Sequence, residues 1–170
     1  MNGNMVYPIV SMVTNFTPPT KGNPSLLTPD EALTLFHEFG HALHQLLSNS
    51  TYPSVAGTGV PRDFVELPSQ IMEHWVLEPE MLKAYAKHYL TCEVIPQEMV
   101  EKLDKASKFN TGFITTEYLA ASLLDMEYHT VKDTVAIDVQ TFEKSAMAKY
   151  SLIPEIIPRY RSTYFSHVFS

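Results

Sequence analysis

The sequence predicts a mainly α-helical fold with a small β element, on three observations. Apolar residues recur at three- and four-residue spacing over most of the chain, several prolines stand where first helical turns would open, and one Val-, Ile-, Tyr- and Met-rich run near the start reads as extended. That run, Met5 to Asn15, is expected to be a single strand with an open edge, able to pair with an extended peptide or with another part of a larger protein. Residues Thr17 to Ser25, with Pro18, Pro19, Gly22 and Pro24, form a loop.

Thr28-Pro29-Asp30-Glu31 then opens a helix. Thr28 is a capping residue, Pro29 suits the first helical position, and Glu31, three residues after the cap, completes a capping box. Leu33, Phe36, Gly40, Leu43 and Leu47 follow at helical spacing and predict a buried face, where Gly40 lets a neighbour approach closely. The segment around Tyr52, Val55, Gly57, Thr58 and Gly59 has short extended character and reads as a connecting loop. A second helix starts near Pro61 and runs through Leu67, Ile71, Met72 and Trp75, where it could lie against the first.

Further helices are expected from Pro79 to Leu90, from Pro96 to Phe109, from Phe113 to Thr130 and from Asp138 to Tyr150. In the third of these, Tyr118, Ala121, Leu124 and Tyr128 share a face. Pro154 and Pro158 end regular structure. No repeat, low-complexity tract or linker divides the chain, so residues 1–170 are expected to form a single domain.

The first helix carries His37-Glu38-Phe39-Gly40-His41. Imidazoles at i and i+4 lie on one helix face about 6 Å apart along the axis, close enough for one metal ion to take a nitrogen from each. Glu38 sits about 100° round from His37, which removes it from the ligand set and suits it to act as general base on the attacking water. Such a pattern arises by chance in roughly 2 of 100 chains of this composition, so its helical context is what gives it weight.

Catalytic zinc usually takes three protein ligands. His44 shares the stripe of His37 and His41, but seven helical residues place it about 10.5 Å from His37, too far for the same ion, and it reads as a supporting or packing residue. Glu66, on the second helix, completes a two-His, one-Glu set, while Gln70 and Glu73 share its face and could hydrogen-bond a ligating imidazole.

Composition excludes several other classes. A formal net charge of -7 with 12 Lys plus Arg and no basic run argues against nucleic acid as a partner. No apolar stretch approaches the roughly 20 residues that span a bilayer, and the first residues do not read as a secretory signal. With Cys92 as the single cysteine no intramolecular disulfide can form, which permits a reducing cytoplasmic setting.

The run Leu35 to His44, then Gly57-Thr58 and Arg62 to Gln70, resembles the thimet oligopeptidase family of zinc metallopeptidases. The likeness continues through Glu73-His74-Trp75, Leu123 to Met126, Pro158 to Ser162, Tyr164-Phe165 and His167, and is strongest to its bacterial peptidyl-dipeptidases. It implies a zincin-like helical catalytic core and one Zn2+ per chain, held by His37, His41 and Glu66 with Glu38 as base. It further implies a cytoplasmic enzyme that hydrolyses short peptides, members of the peptidyl-dipeptidase kind releasing dipeptides from peptide C-termini.

The resemblance also places His167 beside substrate, although read alone it is a polar residue near a chain terminus. Arg159, Tyr160 and Tyr164 could bind a peptide carboxylate or polarise a carbonyl, or simply pack and solvate a surface. Because family enzymes are several hundred residues long, the chain is expected to be a partial domain, a catalytic core fragment without flanking N- and C-terminal parts. The alternative function is a catalytically inert zinc-binding fragment that serves only as a helical scaffold or interaction module.

Overall fold

A computed structural model describes residues 7–132, 136–164 and 166. The chain divides into two compact units, Met1–Val100 and Glu101–Ser170. Among the described residues there are six α-helices: α1 (Pro29–Leu46), α2 (Arg62–Glu73), α3 (Pro79–Tyr85), α4 (Gln97–Ser107), α5 (Thr111–His129) and α6 (Val139–Lys149). A short 3-10 turn, Pro53–Val55, lies between α1 and α2, and another, Ser162–Tyr164, follows α6. The mainly helical expectation holds.

Helix α1 begins as the sequence indicates. Thr28 Oγ1 accepts from the Glu31 amide at 3.2 Å while Glu31 Oε2 accepts from the Thr28 amide at 2.8 Å, the two halves of a capping box. The other oxygen of Glu31 accepts from the amide and hydroxyl of Thr17 at 2.6 and 2.7 Å, which ties the preceding loop to the start of the helix. These bonds favour the charged form, the Thr28 amide first and the Thr17 amide next, and hold the Glu31 carboxyl at about 2 instead of its ordinary 4.5.

The sign of the linkage follows. A depressed folded-state value means that the stabilisation is present in full above the unfolded carboxyl range and is lost as pH falls from about 4.5 toward about 2. Glu31→Gln is therefore expected to flatten that acid limb of the melting-temperature profile and to lower the melting temperature at neutral pH; an unaltered acid limb would count against this linkage.

Helices α1 and α2 pack against each other at Gly40. A Cβ added there would stand 2.5 Å from Ser69 Cα and 2.7 Å from Pro68 O, so only glycine allows the two backbones to meet. Around this crossing Gly40, Ala42 and Ser69 are buried, but Leu33 and Leu47, expected on the buried face, are 38% and 77% exposed. The crossing covers the middle of α1, while its two ends meet loop residues, Thr17 at Glu31 and Thr58 at Gln45. Beyond α1, the Gly57 amide donates to Ser48 Oγ at 2.8 Å and the Thr58 amide to Gln45 Oε1 at 3.1 Å. This segment is a 3-10 turn followed by a stitched loop, the connecting loop expected of it and without the extended character its composition suggested, with Gly57 at φ +54°.

Three further expectations need correction. Residues 7–15 form no paired strand, and among the described residues β structure is confined to the isolated bridges Thr20 to Asn23 and Lys87 to Val94. Extended character is a local property, whereas a strand needs a hydrogen-bonding neighbour. Helix α2 stops at Glu73, before Trp75, in a run of turns. Helix α3 stops at Tyr85 instead of Leu90, because Ile95 N–H donates to Ala86 O and His88 N–H donates to Glu93 O, both at 2.8 Å, turning the chain back on itself. Tyr85, at the end of α3, meets the ring of Phe36 on α1 at 5.7 Å and donates its hydroxyl to Val76 O at 2.6 Å.

In the second unit, Leu124 of α5 and Ala146 of α6 form the buried core, joined by Phe142, Tyr128 and Tyr160, with Tyr128 and Phe142 stacked at 4.5 Å. Tyr118, expected on the same face as Leu124, is 55% exposed. Buried Glu143 accepts from Arg161 Nε at 2.7 Å and from the Ser162 amide at 3.0 Å, anchoring the segment that follows α6.

Candidate metal centre

The four-residue spacing of His37 and His41 within α1 brings them to one face, with ring centroids 4.9 Å apart and planes at 83°. The Gly40 crossing brings α2 close enough for Glu66 to reach both rings. Glu66 Oε2 lies 3.2 Å from His37 Nε2 and 3.2 Å from His41 Nε2, and the three donor atoms all fall within 4.8 Å of one another. Donors held about 2.1 Å from one tetrahedral ion stand roughly 3.4 Å apart, so the histidine to carboxylate spacings suit a zinc-sized cation.

The far side of His37 strengthens that fit. Its Nδ1 stands 2.6 Å from Glu73 Oε1, a contact in which the carboxylate accepts the ring proton. In the neutral ring this leaves the Nε2 lone pair aimed at the Glu66 carboxylate, which is repulsive unless a proton or cation lies between them. His41 Nδ1 is buried and has no hydrogen-bond partner among the described residues. Both imidazoles are about one-fifth to one-quarter exposed and Glu66 is 48% exposed, so the site opens to solvent on the carboxylate side.

Glu38 is half-buried and shares with His41 a groove of about 420 Å3, also lined by the run Ile9 to Val13 and by Gln45 and Thr58. The run Ile9 to Val13 thus borders the same groove as the metal-binding helix, although among the described residues it pairs with no strand.

Other candidates fall differently. His44 is outside the converging set, and its ring meets Phe64 edge-on at 6.0 Å, the packing role expected from its distance along the helix. Gln70 is exposed and hydrogen-bonds neither imidazole among the described residues; the carboxylate that holds His37 Nδ1 is that of Glu73. A residue the sequence did not single out, fully buried Ser69, donates its hydroxyl toward Glu66 Oε2 at 2.8 Å and toward Glu66 O at 2.9 Å. Its spacing of three residues from Glu66 is the one signal that could have found it. In the second unit Tyr160 packs on the core, Arg159 lies 5.9 Å from the Tyr160 ring and Tyr164 is 52% exposed, while His167 lies outside the described residues.

The model of Peptidase family M3 matches residues 1–170. The chain belongs to peptidase family M3. It is 45% identical over 168 residues to the dipeptidyl carboxypeptidase of Escherichia coli (strain K12), covering 98% of this chain and 25% of that protein. It is 41% identical over 129 residues to oligopeptidase A of the same organism, covering 75% of this chain and 19% of that protein. A probable cytosolic oligopeptidase A of Arabidopsis thaliana is 37% identical over 165 residues, covering 96% of this chain and 24% of that protein. This M3 chain therefore spans about a quarter of the length of the curated relatives it matches. No helix of its described residues is long and apolar enough to cross a membrane.

Proposed function

We propose that this chain carries the metal centre of a zinc-dependent peptidase that hydrolyses short peptides, of the dipeptide-releasing or oligopeptidase type. The observation that carries the reading is the convergence of His37 Nε2, His41 Nε2 and Glu66 Oε2, with Glu38 in the adjoining groove. The names of the relatives, dipeptidyl carboxypeptidase and oligopeptidase A, support the substrate class.

In this reading His37, His41 and Glu66 hold one Zn2+ per chain. When bound, the ion polarises the scissile carbonyl and brings the pKa of the attacking water toward about 7. Glu38 takes the proton from that water and passes it to the leaving amine. Glu73 keeps the His37 proton on Nδ1, so that Nε2 presents its lone pair.

A substrate peptide lies in the groove lined by α1 and the run Ile9 to Val13, whose backbone pairs with no strand among the described residues and could hydrogen-bond an extended chain. His167 acts near the substrate, on the strength of the sequence resemblance. A cytosolic setting belongs to the same proposal and is supported by the name of the Arabidopsis relative.

The test combines elemental analysis with an internally quenched short peptide. Zinc at one equivalent per chain, with dequenching that a chelator abolishes and added zinc restores, is the expected result. Stoichiometric zinc without turnover would instead point to an inert scaffold, and no zinc at all would remove the metal reading.

A further inference from the structure

Three observations meet at Ser69. Its side chain is completely buried, at 0% exposure, where α2 crosses α1. Its hydroxyl reaches Glu66 Oε2 at 2.8 Å, and Oε2 is the same carboxylate oxygen that faces both imidazoles at 3.2 Å. Its backbone is the surface that Gly40 abuts, so the residue is fixed relative to the helix that carries His37 and His41.

We infer that Ser69 is the positioning residue of the carboxylate ligand, its hydroxyl holding Glu66 Oε2 at the junction of the two imidazoles. This inference rests on the metal reading of the site proposed above. A glutamate side chain has three rotatable bonds, and Glu66 is 48% exposed, so without a tether it would populate rotamers that point into solvent. A hydrogen bond to a charged oxygen is among the stronger kinds and favours the inward rotamer over the solvated alternatives. The bond also occupies one lone pair of Oε2 and leaves another for a cation, which favours binding through that single oxygen. The one hydroxyl proton is shared with Glu66 O at 2.9 Å, an acceptor on the same turn of α2, so the hydroxyl stays over the residue that bears the ligand. Glu73 does the corresponding task for His37, so two of the three ligands are each held from behind by a residue of α2.

The test is zinc affinity, read by competition with a chromophoric chelator, on the native chain, Ser69→Ala and Ser69→Thr. Ser69→Ala removes one oxygen and keeps the Cβ, so the packing at Gly40 is retained. It is expected to weaken zinc binding about 10–100-fold, the usual effect of losing an outer partner of a ligand, and to change the visible spectrum of the cobalt-substituted protein. Ser69→Thr keeps the hydroxyl but adds a methyl group at the buried crossing, so it is expected to bind zinc close to the native affinity where its metal-free melting stays native. Melting of the metal-free proteins separates the alternatives: a Ser69→Ala chain that melts lower but binds zinc and cobalt as the native chain does overturns the inference. A Ser69→Thr chain whose metal-free form melts as the native chain does, so that the added methyl is accommodated, but which binds zinc tenfold more weakly also overturns the hydroxyl assignment, and it decides the matter if Ser69→Ala does not fold. Failure of the native chain to bind zinc in the same titration sinks the metal reading itself, whereas native binding with an unaffected Ser69→Ala sinks only the role of Ser69.

Discussion

Glu38→Gln is expected to bind zinc as the native chain does and to lose peptide hydrolysis by about 10²–10⁴-fold, the range over which a positioned general base contributes. The amide is nearly isosteric with the carboxyl, so the groove it shares with His41 keeps its shape, but it cannot take a proton from the attacking water. His37→Ala makes the contrast, since it deletes one of the three converging donors and strips Glu73 of the ring proton it accepts. That variant is expected to lose both metal and turnover. Zinc content by elemental analysis and the rate of chelator-sensitive dequenching, measured on both variants, separate a base from a ligand. Native-like turnover in Glu38→Gln would refute the base assignment, and loss of zinc from it would make Glu38 part of the metal cage.

Local chemistry made some of this structure readable in advance. The start of α1 is visible to the residue, because Thr28, Pro29 and Glu31 act on one another over three positions and need nothing from elsewhere. The pairing of His37 with His41 is equally local, fixed by the pitch of one helix. Glu66 and Glu73 were legible only once the histidines had been read, since each is one carboxylate among 19 acidic residues.

What could not be read depends on partners distant in sequence. Periodicity groups Leu33 with Leu47 and Tyr118 with Leu124, but it does not say whether a neighbour covers the group, and Leu33, Leu47 and Tyr118 stand open. The same limit applies to residues 7–15, whose β-forming composition is real and whose pairing is absent. Ser69 escaped notice because a serine in a helix is most often solvated or bonded to its own backbone; only the crossing at Gly40 buries it beside a ligand.

That crossing yields the second large effect. Gly40→Ala should gain about 1 kcal/mol from helix propensity, as any exposed Gly→Ala in a helix would. Here the added Cβ falls 2.5 Å from Ser69 Cα, against an ordinary carbon contact of about 3.5–4.0 Å, and its neighbours are backbone atoms that no rotamer change can move aside. Helix α2 must therefore retreat by about 1–1.5 Å, and overpacking of this kind typically costs about 1–3 kcal/mol, more where backbone has to shift. The steric term wins, and the metal-free chain is expected to be destabilised on balance.

The larger consequence is at the site. Glu66 and Ser69 travel with α2 while His37 and His41 stay with α1, and metal ligands tolerate only about 0.2 Å of displacement. Zinc affinity is expected to fall by more than tenfold even where the fold survives. Gly112→Ala is the matched control: Gly112 also lies in a helix, nothing stands within 4 Å of the added carbon, and propensity alone acts there. Denaturant unfolding and zinc competition on the two variants should diverge, with Gly112→Ala neutral or slightly stabilised and binding zinc as before. If Gly40→Ala matches it on both measurements, the two helices are not held at this distance by the glycine, and the placement of Glu66 against the histidines needs another cause.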